Sequence, residues 1–230
     1  MEKILIVDTE TANEIDCPIM YDFSFVVADL NGNIFEEYAF VVADVFLNKE
    51  MMDTAYFKDK IPSYWEEIKN GTRSLWTLAH IKKFVNAKMR ENNISKVFAY
   101  NCRFDYLSTA LTQRYITKSK YRWFFPYGTE FFDILKLTRN CLKNDEEYTK
   151  FCIDNAFLTK FEKPQLTAEV VYRFMNGLDF VEEHKGLEDC KIEYEILMYF
   201  LNKGNLAEMQ LFKKDKEISD EVIEKLNKLK

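Results

Sequence analysis

Apolar and polar positions along the chain separate strand from helix. Ile4-Leu5-Ile6-Val7 is an unbroken apolar run rich in β-branched side chains; it suits a central strand buried on both faces, and it ends in the carboxylates Asp8 and Glu10. Residues 23–28 and 34–42 are two further strand candidates, and the Asn31-Gly32 pair between them is a strong hairpin signal, so the chain opens as an antiparallel meander. Residues 43–74 carry no clean periodicity and mix Tyr56, Phe57, Tyr64 and Trp65 with Lys58, Lys60 and Pro62, which reads as a partly helical excursion. From 75 to 92, Leu78, Ile81, Val85 and Met89 recur three and four residues apart and predict an amphipathic helix that Asn92-Asn93 ends. Residues 97–100 predict a second buried strand, followed by a helix over 104–115. Residues 130–133 predict a short strand passing into a helix capped by Asp133. Two more helices are predicted over 167–175 and 187–201. In the tail from 215 to 230, Ile218, Val222, Leu226 and Leu229 share one helical face suited to docking on the rest of the chain. Strands first, then helix and strand in alternation, make a mixed α/β arrangement without internal repeats.

Composition narrows the class. The 230 residues are 47% hydrophobic with 6 Gly and 4 Pro, ample for a packed core and without a linker-like stretch. One domain over 1–202, carrying the excursion at about 43–74, and a C-terminal helical extension over 203–230 are expected. Lys plus Arg number 32 against 38 Asp plus Glu, a net charge of −6, which excludes a broadly basic protein that wraps nucleic acid. Five cysteines, Cys17, Cys102, Cys141, Cys152 and Cys190, include no CxxC pair, so neither a disulfide framework nor a zinc site is indicated and a reducing compartment fits. The run 4–7 is too brief for a signal peptide and no membrane segment is visible, so a cytoplasmic location with no membrane partner is expected.

The candidate chemistry lies in acids at strand and helix ends. Asp8 and Glu10, at i and i+2 of an extended segment, leave the same face about 6 to 7 Å apart and can converge on one hard cation. Tyr100-Asn101-Cys102-Arg103-Phe104-Asp105 places a second carboxylate at the opening of a helix, and His184-Lys185-Gly186-Leu187-Glu188-Asp189 a third, with a histidine five residues upstream. On a continuous helix those two would point about 140° apart, so His184 belongs on the preceding loop, free to swing toward what Asp189 holds. Four acids drawn together raise one another's pKa values and call for cations. With two histidines and no cysteine cluster, oxygen-seeking Mg²⁺ or Mn²⁺ fits better than zinc.

In order and spacing, Asp8-Thr9-Glu10-Thr11, then Asn101 through Phe104-Asp105, then His184 through Leu187-Glu188-Asp189 resemble the three motifs of the DEDDh (DnaQ-like) 3′-to-5′ exonucleases. That group includes polymerase proofreading subunits, RNase T and oligoribonuclease. Phe132-Asp133-Ile134-Leu135 also resembles a recurrent segment of the family with a structural role. The resemblance implies an RNase H-like (exonuclease) fold, a central mixed β-sheet flanked by helices. It implies two metal ions bridged by Asp8, with Glu10 and Asp189 completing the first position, Asp105 serving the second and His184 as general base. Hydrolysis at a 3′ end would release nucleoside 5′-monophosphates, with Thr11 and Asn101 near the terminal nucleotide. Ala12-Asn13, Tyr100 and Lys185-Gly186 depart from the family pattern without removing a ligand or the base.

Arg114, Lys118, Lys120 and Arg122, interleaved with Tyr115 and Tyr121, read either as a strip that tracks and stacks single-stranded nucleic acid or as a solvated connection. His80 reads as an ordinary helix residue, and Cys102 and Cys190 as small buried fillers. The leading expectation is a stand-alone metal-dependent exonuclease acting on single strands or 3′ ends of DNA or RNA. A proofreading or accessory exonuclease subunit of a polymerase or recombination complex, with the 203–230 tail as its docking element, is the alternative, a homodimer is a further partner expectation, and an idle nucleic-acid-binding module is the third reading.

Overall fold

The computed structural model describes residues 2–118, 123–182, 184–212 and 219–229. Lys120, Tyr121, Arg122 and Ile218 lie outside the described residues. The strands are β1 (Lys3–Ala12), β2 (Ile19–Asp29), β3 (Ile34–Val42), β4 (Ser74–Trp76), β5 (Lys96–Ala99) and β6 (Glu130–Asp133). They form one sheet in the order β4-β3-β2-β1-β5-β6, antiparallel across β1-β2-β3 and parallel elsewhere. The meander and its turn at Gly32, with φ of 97°, are as the Asn-Gly pair predicts.

Among the described residues the helices are α1 (Ala43–Phe46), α2 (Lys49–Met52), α3 (Ile61–Asn70), α4 (Leu78–Glu91), α5 (Cys102–Thr117), α6 (Ile134–Leu142), α7 (Glu146–Asp154), α8 (Ala168–Asn176), α9 (Gly186–Asn202) and α10 (Asp220–Lys228). Leu5, Val7, Phe23 and Phe25 build a core on one sheet face with Ile81 and Val85 of α4 and Leu111 of α5. Ile4, Ile6, Val26 and Phe98 build the other with Leu137 of α6 and Ile196 and Leu197 of α9. Because side chains alternate along β1, Asp8 and Glu10 share the face of Ile4 and Ile6, under α9, whereas Thr9 shares the face of Leu5 and Val7, under α5.

Two of the predicted boundaries change, and one helix is unforeseen. β1 does not end before the carboxylates: it continues to Ala12, because β2 is long enough to pair Asp8 with Ser24, Glu10 with Asp22 and Ala12 with Ile19, across a register shift at Glu10/Thr11. What ends near Asp8 is the parallel pairing with β5, last seen at Ile6 with Phe98, which opens a crevice at the carboxyl end of the strands. The helix predicted from 75 begins at Leu78, since Ser74-Leu75-Trp76 pairs with β3 and Thr77 accepts from the His80 amide as N-cap. α7, capped by Asp145, has no counterpart among the predicted elements, its polar first turn masking the buried Tyr148 and Cys152.

The excursion is helical, and an ionic network fixes it. Arg73 Nη1 lies 2.5 Å from Asp22 Oδ1 and its Nε 2.8 Å from Glu67 Oε2; Arg73 and Asp22 are shielded almost completely from solvent. Tyr64 donates to Asp22 at 2.8 Å, and Glu67 also pairs with Lys185. In the tail, Leu226 is fully buried against the core and Lys225 bridges Glu14 and Asp16. No helix among the described residues is long and apolar enough to cross a membrane.

Breaking the Arg73–Asp22 pair leaves a buried carboxylate uncompensated. Arg73→Ala should therefore lower stability by about 3–5 kcal/mol in denaturant unfolding. A loss below 1 kcal/mol would show that the network does not hold the excursion.

Candidate active site

The carboxyl end of β1, the first turn of α5 and the loop entering α9 bring the predicted residues together. Ligand atoms of Glu10, His184 and Asp189 all lie within 4.8 Å of one another, and Asp8 and Asp105 stand outside that triad. Asp105, 4% exposed, accepts from the Thr9 hydroxyl at 2.9 Å, and Thr9 also meets Ser108 at 2.9 Å. α5 is thereby pinned to the opposite face of β1 from α9. Asn101 enters α5 in the left-handed region, φ 65°, with no side-chain capping bond; Thr11 lies in β1 just past the register shift.

His184 precedes α9 on a loop, as predicted, with φ of 50°. Its ring stacks on Phe57 at 4.4 Å and 12°, and Nδ1 faces Glu182 Oε2 at 3.6 Å. Burial, aided by the charge of Lys60, lowers its pKa below 6.5. The excursion thus supplies two neighbours of the candidate base, Phe57 and Lys60, whose only sequence signal was an aromatic-basic mixture without periodicity.

Electrostatically the cluster is strained toward protonation. Burial first, then the neighbouring acids, raises Asp8 well above the usual carboxylate range, Glu10 to about 9 and Asp189 to about 8; burial raises Asp105 to about 7. Asp8 Oδ2 and Asp189 Oδ1 are buried with no hydrogen-bond partner. Orphaned carboxylate oxygens in a like-charged cluster fit hard divalent cations: these take oxygen donors and supply the missing positive charge. A further acid, Glu193, is 4% exposed one turn beyond Asp189 and is also raised, by burial first and then by Asp105. The signal for it was present in the sequence, an acid at i+4 from Asp189 among the apolar positions Ile192, Tyr194 and Ile196.

The structure does not bring the basic strip to this cluster. Arg114 and Lys118 are nine and thirteen residues beyond Asp105 on or at the end of α5, about 14 and 20 Å along its axis, and Lys120 and Arg122 lie outside the described residues. His80 is exposed on α4, and Cys102 and Cys190 are buried.

No family model and no curated protein sequence matches this chain. Solved structures do. The chain aligns with the nuclease domain of 3′hExo, a DEDDh family member bound to rAMP, at TM-score 0.61 and 14% identity over 93% of this chain and 98% of that one. It aligns with a 3′-exonuclease in a structure of 3′-end recognition of the histone mRNA stem-loop at TM-score 0.61 and 13% identity, over 95% and 69%. With E. coli Exonuclease I in complex with a dA16 oligonucleotide the values are 0.56 and 15%, over 90% of this chain and 42% of that one. The chain has the DEDDh exonuclease fold, an RNase H-like mixed sheet flanked by helices.

These acids have folded-state pKa values above the unfolded value of about 4, so the stability they contribute is present below that value and is lost as pH rises toward about 7, 8 and 9. In EDTA the melting temperature should fall between pH 5 and 9, and Mg²⁺ should reverse the fall. Asp8→Asn should melt higher than wild type in EDTA at pH 8. A flat pH profile in scanning calorimetry would contradict the repulsive cluster.

Proposed function

We propose that this chain is a metal-dependent 3′-to-5′ exonuclease that hydrolyses the terminal phosphodiester of a single-stranded DNA or RNA end. The observation that carries the reading is the convergence of Glu10, His184 and Asp189 within 4.8 Å beside Asp8 and its partnerless oxygen, on a DEDDh fold. Asp8, Glu10 and Asp189 would hold one Mg²⁺ or Mn²⁺, and Asp8 with Asp105 a second. Such a pair of ions supplies charge stabilisation for the attacking and leaving oxygens of an in-line displacement.

The protein groups do the rest. His184, with Nδ1 directed to Glu182, would use Nε2 to take a proton from the attacking water. Water adds to the terminal phosphorus, the bond from phosphorus to the preceding 3′ oxygen breaks, that oxygen takes a proton from solvent, and the products would be a nucleoside 5′-monophosphate and a chain one nucleotide shorter ending in a 3′ hydroxyl. Phe57 limits the ring's rotation by stacking on one face. Thr11 and Asn101 would meet the terminal nucleotide. Arg114 and Lys118 can contact only more distant phosphates.

The stand-alone form of the reading gains support from α10, which commits Leu226 to its own core and leaves that residue nothing to offer a polymerase or a second copy. Both RNA and DNA ends remain within the substrate class. The 3′-exonuclease neighbour recognises a histone mRNA stem-loop and the E. coli Exonuclease I neighbour is bound to dA16.

With a 5′-labelled ladder assay on single-stranded DNA, duplex DNA and RNA, wild type should release mononucleotides with Mg²⁺ and none with EDTA. His184→Ala should lower the rate ~10²–10⁴-fold, and Asp8→Asn should bring it to background. Undiminished activity in either variant would remove the assignment. At saturating Mg²⁺ the rate should rise with pH as His184 loses its proton, with a midpoint below 6.5. Lys60→Gln, which removes a positive charge that disfavours the protonated ring, should move that midpoint upward; a downward move would contradict the role given to His184.

A further inference from the structure

We infer that the cavity between α4 and the end of α5 is a second nucleic-acid site, which takes phosphates of the substrate strand upstream of its 3′ end. The inference rests on the exonuclease reading above and adds residues that none of the three motifs contains.

α4 carries two stripes. Leu78, Ile81, Val85 and Met89 face the core, while Lys82, Lys83, Asn86 and Arg90 recur at helical spacing on the neighbouring flank. Together with Gln113 and Thr117 of α5, that flank lines a cavity of about 500 Å³. Asp44 is the one acid among the described residues that line it, and its Oδ2 already accepts from the Leu78 amide at 2.7 Å. Lys82, Lys83 and Arg90 form no ion pair among the described residues. The half-buried Lys82 donates from Nζ to a neutral acceptor, Gln113 Oε1, at 3.2 Å, and burial lowers its pKa. Three cations left unneutralised in a concave surface attract anions, even in a chain of net charge −6.

Two observations say which anion. The first is the path from the catalytic cleft. Gln113 lies eight residues beyond Asp105 on α5, about 12 Å along its axis. Its neighbour Thr112 accepts from the amide of Met20, the residue paired with Thr11 of β1. A strand with its 3′ end at Thr11 therefore has the cavity within reach of its upstream phosphates. The second is a pair of exposed rings. Asn86 Nδ2 donates to the Phe124 carbonyl at 2.9 Å and holds residues 123–127 against α4. That segment carries Trp123 and Tyr127, both exposed, edge to face with centroids 6.5 Å apart. Cations that track a backbone, beside rings on which bases stack, are the elements by which proteins hold single strands. An acidic peptide would use the cations and leave the rings idle.

Oligothymidine binding to the full chain in EDTA, read by fluorescence anisotropy across a salt series, tests this alongside hydrolysis in Mg²⁺. A dodecanucleotide should bind wild type ~10-fold or more tighter than a trinucleotide. Combining Lys82→Gln, Lys83→Gln and Arg90→Gln should abolish that gain and lower the slope of log affinity against log salt by about 2, three contacts at roughly 0.7 each. The combined variant should hydrolyse the trinucleotide at the wild-type rate. No gain with length in wild type, or equal salt slopes in the two proteins, would overturn the inference; trinucleotide hydrolysis in Mg²⁺ would still uphold the exonuclease reading. Poly-glutamate that displaces the dodecanucleotide as well as unlabelled oligonucleotide does, at equal charge, would also overturn it. A chain that neither binds nor hydrolyses any oligonucleotide would remove both. Should the combined variant fail to fold, Lys83→Gln with Arg90→Gln alters only exposed side chains: a slope lower by about 1.4 supports the inference, and an unchanged slope overturns it.

Discussion

Mutual repulsion among buried carboxylates is the constraint around which this molecule is arranged. Asp8 and Glu10 come from β1, Asp105 from α5, Asp189 and Glu193 from α9, and burial raises every one of them. Elements that carry like charges separate unless something else holds them. Here β1 is clamped from both faces: Thr9 bonds Asp105 on one, and α9 lies across Ile4 and Ile6 on the other. The apolar packing of a 17-residue helix offsets the electrostatic cost of its first turn.

The excursion is part of the same arrangement. It reaches the histidine loop through two kinds of contact, the Glu67–Lys185 pair and the Phe57–His184 stack, and Arg73 roots it in β2 through Asp22. Asp22 lies opposite Glu10 in the β1-β2 register. Glu10 thus lies in the candidate site on β1 while its partner on β2 anchors the segment that contacts His184 and Lys185. A composition-level reading of −6 as unfavourable to nucleic acid misses this concentration of charge, since several of the acids are spent in one pocket that cations would neutralise.

Much of the fold was legible because its signals are local. The apolar run at 4–7, the Asn31-Gly32 turn, the periodicity of α4 and the Asp133 cap each report on neighbours in sequence. The acid motifs were legible as a pattern, and their convergence follows from where β1, α5 and α9 meet. The misreadings share a cause. β1 was cut short because Asp8, Thr9 and Glu10 interrupt an apolar run without interrupting hydrogen bonding to β2. Ser74-Leu75-Trp76 was absorbed into a helix because three residues next to an edge strand carry no periodicity of their own. Glu193 was passed over because an acid on a helix reads as solvent-facing until the partner face is known.

Gly186 gives the arrangement a further consequence. Its amide donates to Asp22 at 3.2 Å, and a Cβ built on it would stand 2.9 Å from Ser24 Oγ, itself fully buried. α9 therefore rests on β2 at a separation only the smallest residue permits. A methyl group at 186 would have to lift the first turn of α9 and carry Asp189 with it. The depth of the pocket is thus set by an absent side chain, and a change at 186 could come only with a smaller residue at 24 beneath it.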